Sequence, residues 1–243
     1  MCSSQSPMRI PRSVQLYEDF NYVHLYWRCH NKEFYLANNK EKDLYLSSLK
    51  KAQKAYKEKG TVKPYAFCVM DNHFHQVTSY DDGSKNLSDY MRVAHSDFGR
   101  EYNKLHNRSG KVAEGRPKTP PIENTEHLAR VHFYVEANPV RAGKMPLGRL
   151  RDYKYSSHQF FAYGIKGPHS DLIEIPDWYM ELGDSPRKRQ KEYRKLFEQY
   201  LELNKVGHEN YIKQFIGSPI WERAQMRRAL IEITGDHLTD NSS

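Results

Sequence analysis

Two histidines stand two residues apart in the run His73-Phe74-His75. Successive side chains of a β-strand point to opposite faces, so in a strand both imidazoles lie on one face and Phe74 lies on the other. Two neutral imidazoles on one face can share a divalent metal ion. The same spacing is also typical of an ordinary polar strand face, and both interpretations stay open at this point.

Tyr134 and Asn138 form a second pair with chemical potential. They lie four residues apart in HFYVEANPV, which places them on the same face of a helix. A phenol can attack a phosphodiester, and an amide oxygen can act as a ligand to a metal that the histidines hold. The chain has 18 tyrosines, however, so a packing role for Tyr134 is the alternative.

Strands and helices must position these residues. Alternating apolar and polar residues predict a strand over 19–30, then two antiparallel strands, 62–70 and 73–80, joined by a tight turn. Helical spacing predicts helices from Glu41 to about Lys59, from Leu87 to His106, and from a capping-box-like Thr125 to near Asn138, where Pro139 is expected to end the helix.

This order of elements leaves room for one more strand in the loop after the second helix. It predicts an α+β fold, a ferredoxin-like or RRM-like split β-α-β sandwich with helices on one face of an antiparallel sheet. The candidate residues would then lie on the central part of one domain, which we predict to span 1–170.

The chain beyond residue 171 is richer in charge. It predicts an amphipathic helix over 185–205 and two shorter helices over 207–215 and 219–233. We interpret 171–235 as a basic helical extension and 236–243 as a disordered tail. The basic run from Arg187 to Lys195 is compatible with a nucleic-acid contact and equally with an ordinary surface helix.

The net charge of +8 indicates a polyanionic partner, more often a nucleic acid than a lipid surface. No apolar run approaches the roughly 18 residues that a membrane span needs. Three scattered cysteines without a CxxC pair indicate a reducing cytoplasm. Basic residues cluster around the second predicted helix and the loop after it, and we predict that they contact DNA, although a solvated helix face is the alternative. They are Arg92, Arg100, Lys104, Arg108, Lys111, Arg116 and Lys118, to which we add Arg141.

Two segments, CVMDNHFHQVTSY and HFYVEANPVRAG, resemble the REP-associated tyrosine transposases of the HUH endonuclease superfamily. That family has a histidine–hydrophobic–histidine triplet after an asparagine, and later a tyrosine four residues before Asn-Pro-Val-Arg-Ala. The resemblance extends over YWRCHNKEFYL, SGKVAEGRPK and DYKYSSHQFFAYG, and so over roughly residues 10–165. Asp71 departs from the family pattern, in which proline is common, and the length beyond Asp171 is also unlike the shorter members.

The resemblance implies a metal-dependent enzyme that cleaves and rejoins single-stranded DNA beside a hairpin. His73, His75 and, as a third ligand, Asn138 would hold Mg²⁺ or Mn²⁺, and Tyr134 would form a 5′-phosphotyrosine intermediate. It is compatible with a monomer or a homodimer, since relatives differ in whether the tyrosine serves its own site or the partner's. We expect such a protein in the cytoplasm, associated with the nucleoid.

Two other classes of protein fit parts of the sequence. A hairpin-binding protein that no longer cuts would be expected to have lost one of His73, His75 and Tyr134, and all three are present. A DNA-binding domain stabilised by zinc would need four ligands, and two histidines without a nearby cysteine pair leave that set incomplete.

Overall fold

A computed structural model of the 243-residue chain describes residues 10–16, 21–56, 62–81, 84–204, 211 and 213–234. The strands are β1 (Tyr22–Arg28), β2 (Val62–Val69) and β3 (His73–Tyr80). The α-helices are α1 (Arg12–Gln15), α2 (Asn39–Tyr56), α3 (Ser84–Leu105), α4 (Thr125–Arg141), α5 (His158–Tyr163), α6 (Asp177–Met180), α7 (Pro186–Leu203) and α8 (Pro219–Thr234). The α+β class predicted from the sequence is confirmed.

The three strands form an antiparallel sheet in the order β1-β3-β2. The run His73-Phe74-His75 therefore begins the central strand, where each residue has a neighbour on both sides. His75 pairs with Tyr26 of β1 and with Cys68 of β2. This central position gives the two histidines a rigid support.

A fourth, irregular segment completes the sheet beside β1. The backbone of 112–122 runs antiparallel to β1, with reciprocal hydrogen bonds between Tyr26 and Lys118 of 2.9 and 3.0 Å. Pro117, Pro120 and Pro121 lie within this segment, and proline has no N–H to give to a ladder. The additional strand for which the loop had room is thus present as isolated bridges, at the edge of the sheet where proline is tolerated.

Helices cover both faces of the sheet, and the expectation that they lie on one face is wrong. On one side the ring of Phe74 packs on Tyr45 of α2, 4.8 Å between centroids, and Tyr45 in turn contacts Phe98 of α3. On the other side α4 packs against β2 and β3. With cover on both faces, β3 is buried almost throughout, and only His73 is half-buried.

Helix α4 continues through Pro139 to Arg141, so the prediction that it ends near Asn138 is wrong. Pro139 cannot donate to the carbonyl of Val135, and the side chain of Asn138 takes over this bond: its Nδ2 donates to the Val135 oxygen at 3.2 Å. At the other end the N-cap is Asn124, whose side chain accepts from the backbone N–H of His127, whereas the sequence favoured a cap at Thr125.

The C-terminal extension packs on the same hydrophobic core as the sheet, through Tyr193 and Phe197 of α7. The helix predicted over 185–205 and the one predicted over 219–233 are confirmed as α7 and α8. A helix over 207–215 is not present in the part of that range that is described. Residues 213–215 form bends, and Ile216 after them forms an isolated bridge with Ile122, with hydrogen bonds to Pro121 and from Glu123. The predicted tail, 236–243, and the end of the first predicted helix, 57–59, lie outside the described residues, and the domain boundary near 170 stays a prediction.

Among the described helices, none has the length and apolar character that crossing a membrane requires.

Candidate active site

His73 and His75 point together toward α4, as their spacing predicts. Their ring centroids are 5.1 Å apart and the rings are nearly perpendicular. His75 is buried, 4% exposed, and His73 is half-buried at the start of the strand. The site therefore opens at the His73 end of β3 and closes toward the interior.

Both histidines have a hydrogen-bond partner at Nδ1. The Nδ1 of His73 lies 2.7 Å from Oδ1 of Asn72, an acceptor, so His73 donates from Nδ1. The Nδ1 of His75 lies 2.9 Å from Nε2 of His24. Among the described residues neither Nε2 has a hydrogen-bond partner, so the two Nε2 atoms are the ones that could bind a ligand.

The electrostatic environment keeps these imidazoles neutral. Burial, together with the nearby charge of Arg28, lowers the pKa of His73 to about 4. Burial also lowers the pKa of His75 well below its ordinary value, and the neighbouring His24 and His73 act in the same direction. A neutral imidazole is the form that binds a metal ion.

Tyr134 lies over the same pair of strands. Its ring centroid is 5.8 Å from that of His75 and 5.7 Å from that of His24, in both cases edge-on. From the outside the ring of Tyr211 covers it, at 5.1 Å, so Tyr134 is only 5% exposed. The structure thus brings the predicted nucleophile to the predicted metal ligands.

Arg141 lies about two helical turns further along α4. Its guanidinium stacks on Tyr134, with Cζ 4.5 Å from the ring centroid. Burial raises the pKa of the Tyr134 phenol, while the charge of Arg141 and its hydrogen bond to the phenol oppose that shift. Arg141 was predicted as a DNA contact, and its position gives it contact with the predicted nucleophile as well.

Two ion pairs of Asp71 stabilise the turn before His73. The carboxylate of Asp71 pairs with Lys42 at 2.8 Å and with Lys144 at 2.5 Å. These ion pairs connect the turn to α2 and to the loop that follows α4. The aspartate that departs from the family pattern therefore fixes the turn relative to the helix that carries Tyr134.

The side chain of Asn138 has a structural role in α4. Its Nδ2 donates to the backbone oxygens of Tyr134 and Val135, at 3.0 and 3.2 Å, and no hydrogen bond joins it to either histidine in the described structure. Its role as third metal ligand stays a prediction. Within the part of the chain that the structure describes, no three or more His, Cys, Asp and Glu side chains are grouped so that they could hold a metal ion.

The residues present nevertheless fit a divalent cation of the kind that works with phosphates. Such an ion takes few ligands from the protein and fills the rest of its shell with water and phosphate oxygens. His73 and His75 supply two neutral nitrogens from adjacent positions on one strand face, each with its other nitrogen already bonded.

The predicted DNA-binding residues lie in several different parts of the structure. Exposed Arg141 and Lys118 lie at the site, Lys118 with Nζ 5.9 Å from the ring of Tyr26, which stacks on His75. Arg92 and Arg100 belong to α3, beyond the other face of the sheet, where they pair with acids of the same helix, Asp89 and Asp97. Arg108 stacks on Tyr35 and Tyr102. Lys104, Lys111 and Arg116 are exposed.

Three residues of β1 belong to the site and were missed from the sequence: His24, Tyr26 and Arg28. They alternate along the strand and therefore share one face, the face of His73 and His75. Arg28 is exposed and pairs in register with His73. The signal was present in the spacing of YVHLYWR, but the pairing of β1 beside β3 was needed to recognise it.

The chain was compared with family models, with curated proteins and with solved structures. No family model matches the chain, and no curated protein matches it. A solved structure, described as a REP-associated tyrosine transposase bound to a REP hairpin, is similar with a TM-score of 0.48 and 15% sequence identity, covering 72% of this chain and 92% of that one.

Proposed function

We propose that this protein is a metal-dependent tyrosine transposase or endonuclease that cleaves and rejoins single-stranded DNA at hairpin elements, through a 5′-phosphotyrosine intermediate. The observation that carries the proposal is the meeting of Tyr134 with His75, 5.8 Å between ring centroids, at a site where His73 offers a second imidazole. Helix α4 and strand β3 are far apart in sequence, and packing brings their candidate residues together.

A divalent ion such as Mg²⁺ or Mn²⁺, held by the Nε2 atoms of His73 and His75, would polarise the scissile phosphate and neutralise charge on its oxygens. The hydroxyl oxygen of Tyr134 attacks phosphorus, its new bond forms as the bond from phosphorus to the 3′ oxygen breaks, and the phenol proton ends on the freed 3′-hydroxyl. One phosphodiester replaces another, so rejoining by the reverse step needs no ATP.

Arg141 supports this reaction from beside the phenol. Its positive charge favours the phenolate that attacks, and the guanidinium is close enough to the nucleophile to contact the phosphate as well.

The surroundings of the site suit an unpaired strand of DNA. Arg28, Lys118 and Arg141 are exposed, and their charges can neutralise phosphates. Tyr26 is half-buried between His75 and Lys118, and an aromatic ring in such a place can stack an unpaired base, a contact of about 1–3 kcal/mol.

A protein that binds hairpins without cutting them is the second candidate. The observation in its favour is the cover that Tyr211 places over Tyr134, which leaves the phenol 5% exposed. The two candidates differ in one product, the covalent bond between protein and DNA.

The test is to incubate the full-length protein with a labelled hairpin oligonucleotide that has a single-stranded flank, in Mg²⁺ or Mn²⁺, and to separate the products in denaturant. We expect a protein–DNA adduct with the wild type and none with Tyr134→Phe, which should still bind the hairpin. Binding without an adduct under every metal condition would favour the second candidate.

Tyr26→Phe is the matched control. The ring of Tyr26 is also 5.8 Å from His75, but it lies on β1, and burial raises the pKa of its phenol to about 12. We expect this variant to form the adduct. If Tyr26→Phe loses the adduct and Tyr134→Phe keeps it, the nucleophile is Tyr26 of β1 and the assignment of Tyr134 is wrong.

A further inference from the structure

The side chain of His24 is fully buried behind His75 and has a partner at each ring nitrogen. Its Nε2 lies 2.9 Å from Nδ1 of His75, and its Nδ1 lies 3.1 Å from the backbone oxygen of Tyr211. The two imidazoles are nearly parallel, at 16° and 5.1 Å between centroids. The sequence alone gave no role to His24.

The backbone oxygen of Tyr211 fixes the direction of both hydrogen bonds. A carbonyl oxygen can only accept, so Nδ1 of His24 carries the hydrogen. A neutral imidazole has one N–H, and a ring with no exposed surface and no acidic partner is neutral, because an unpaired buried charge is costly. The Nε2 of His24 is therefore an acceptor, and the hydrogen between the rings belongs to Nδ1 of His75.

We propose that His24 is a positioning residue for His75: it holds the ring in place and fixes its hydrogen on Nδ1, so that the lone pair on Nε2 faces the opening of the site. The proposal deepens the function proposed above and rests on it for the role of the cation. In the tautomer with the hydrogen on Nε2, His75 would present a donor where a metal ligand is needed. Histidine ligands elsewhere are oriented in this way by an acceptor behind the ring.

The carbonyl of Tyr211 sets the tautomer of His24 and, through it, that of His75. Without it, His24 could place its hydrogen on either nitrogen, and the tautomer of His75 would follow. The C-terminal extension thus contributes a backbone atom to the candidate active site, at the end of a relay that runs from Tyr211 through His24 to His75.

The tautomer can be measured in the metal-free protein. Long-range ¹H–¹⁵N NMR of the histidine rings distinguishes a hydrogen on Nδ1 from one on Nε2, and His75→Ala assigns the signals. We expect the hydrogen of His75 on Nδ1 in the wild type. In His24→Leu the acceptor is gone and this pattern should be lost, whereas in His24→Gln the amide oxygen can accept from His75 and the pattern should return.

Binding of Mn²⁺ alone, followed by EPR, is the second readout. We expect His24→Leu to weaken binding by about ten- to a hundredfold and His24→Gln to restore most of it. The matched control is His95→Leu, a half-buried histidine whose ring packs on Trp27 at the other face of the sheet. It should leave both the His75 tautomer and Mn²⁺ binding unchanged.

Two results would overturn this proposal and leave the proposed function intact. One is a wild type that carries the hydrogen of His75 on Nε2, and the other is a His24→Leu variant that keeps it on Nδ1. The reverse can also be distinguished. If the wild type carries the hydrogen of His75 on Nδ1 but His75→Ala binds Mn²⁺ as tightly as the wild type, the tautomer assignment is supported and the proposed function is contradicted.

Discussion

At Tyr134, burial and charge act against each other. Burial raises the pKa of the phenol, and the guanidinium of Arg141 lowers it through its charge and its hydrogen bond. A nucleophilic tyrosine has to lose its proton during attack, so the balance between these two effects sets how readily the phenolate forms. Arg141 is the residue through which the protein adjusts this balance.

Replacing Arg141 with alanine removes both opposing effects, so the pKa of Tyr134 should rise further. Below that pKa the fraction of phenolate changes about tenfold for each pH unit, so a rise in the pKa should slow cleavage near neutral pH in proportion. The check is the single-turnover cleavage rate as a function of pH, in which the Arg141→Ala profile should move to higher pH.

Arg141→Lys serves as the control, because it keeps the positive charge and should move the profile less. A rate that falls equally at every pH in Arg141→Ala would show that Arg141 acts on the DNA alone and has no effect on the acidity of Tyr134.

At the scale of elements, α4 is the part of the fold on which the site depends. Asn138 and Pro139 shape its C-terminal turn, and Glu136 fixes its buried side. Glu136 accepts hydrogen bonds from His132, His158, Ser157 and Tyr193, at 3.2, 2.9, 2.5 and 2.6 Å. This buried carboxylate joins α4 to α5 and to α7, so the C-terminal extension helps to hold the helix that carries Tyr134.

Asn138→Ala should destabilise the fold by about 1 kcal/mol, because the carbonyl of Val135 loses the side-chain donor that replaces the missing N–H of Pro139. Pro139→Ala supplies a backbone N–H to the same carbonyl. In a double-mutant cycle followed by chemical denaturation, Asn138→Ala should therefore cost less in the Pro139→Ala background. Equal costs in both backgrounds would contradict the explanation of how α4 passes through Pro139.

Glu136 should make the free energy of unfolding depend on pH in the acidic range. Burial by itself raises the pKa of this carboxyl, but hydrogen bonds from His132 and His158 lower it by more, to about 2 against an ordinary 4.5. Because the folded-state pKa is the lower one, the carboxylate stabilises the fold above about pH 4.5, and this contribution is lost as the pH falls from there toward 2. Glu136→Gln should lack this part of the pH dependence.

The measurement is the free energy of unfolding from denaturant titrations between pH 2 and 7. At neutral pH Glu136→Gln should be less stable by about 3 kcal/mol or more, since it breaks a buried charged network. On the same helix, Glu126→Gln removes an exposed ion pair with Arg130 and should change stability by less than about 1 kcal/mol. Similar losses for the two variants would rule out a special role for Glu136.

At the scale of the whole molecule, positive charge is distributed unevenly with respect to the site. Arg28, Lys118 and Arg141 surround it, whereas Arg92 of α3 lies beyond the opposite face of the sheet and pairs with Asp89 at 3.2 Å. If the DNA strand passes over Tyr134, cations at the site should contribute more to binding than those of α3. For the rest of the set predicted from the sequence, contact with DNA stays a prediction.

Lys118→Ala should weaken binding of the hairpin oligonucleotide and reduce the salt dependence of log K by about 1, the effect of one lost phosphate contact. Arg92→Ala should change both by less, because its charge is already partly neutralised by Asp89. Fluorescence anisotropy titrations at several salt concentrations give both numbers. A larger loss with Arg92→Ala would place the DNA on the α3 side.

The sequence predicted the fold class and the elements that carry the site because strand alternation and helical spacing are local signals. His73, His75 and Tyr134 were identified in this way and through the family resemblance. His24 and the carbonyl of Tyr211 could not be predicted, since their roles depend on strand pairing and on the path of the C-terminal extension. The passage of α4 through Pro139 was missed because a side chain, Asn138, replaces the lost backbone donor.

The central claim is that Tyr134 becomes covalently joined to DNA, and one peptide can show it. Trypsin cuts after Arg130 and Arg141 and releases residues 131–141, VHFYVEANPVR, in which Tyr134 is the single tyrosine. After reaction with the hairpin oligonucleotide and digestion of the DNA, mass spectrometry should find this peptide heavier by one nucleotide, linked through a 5′ phosphate. The nucleotide on another peptide, such as one that contains Tyr26, would contradict the account.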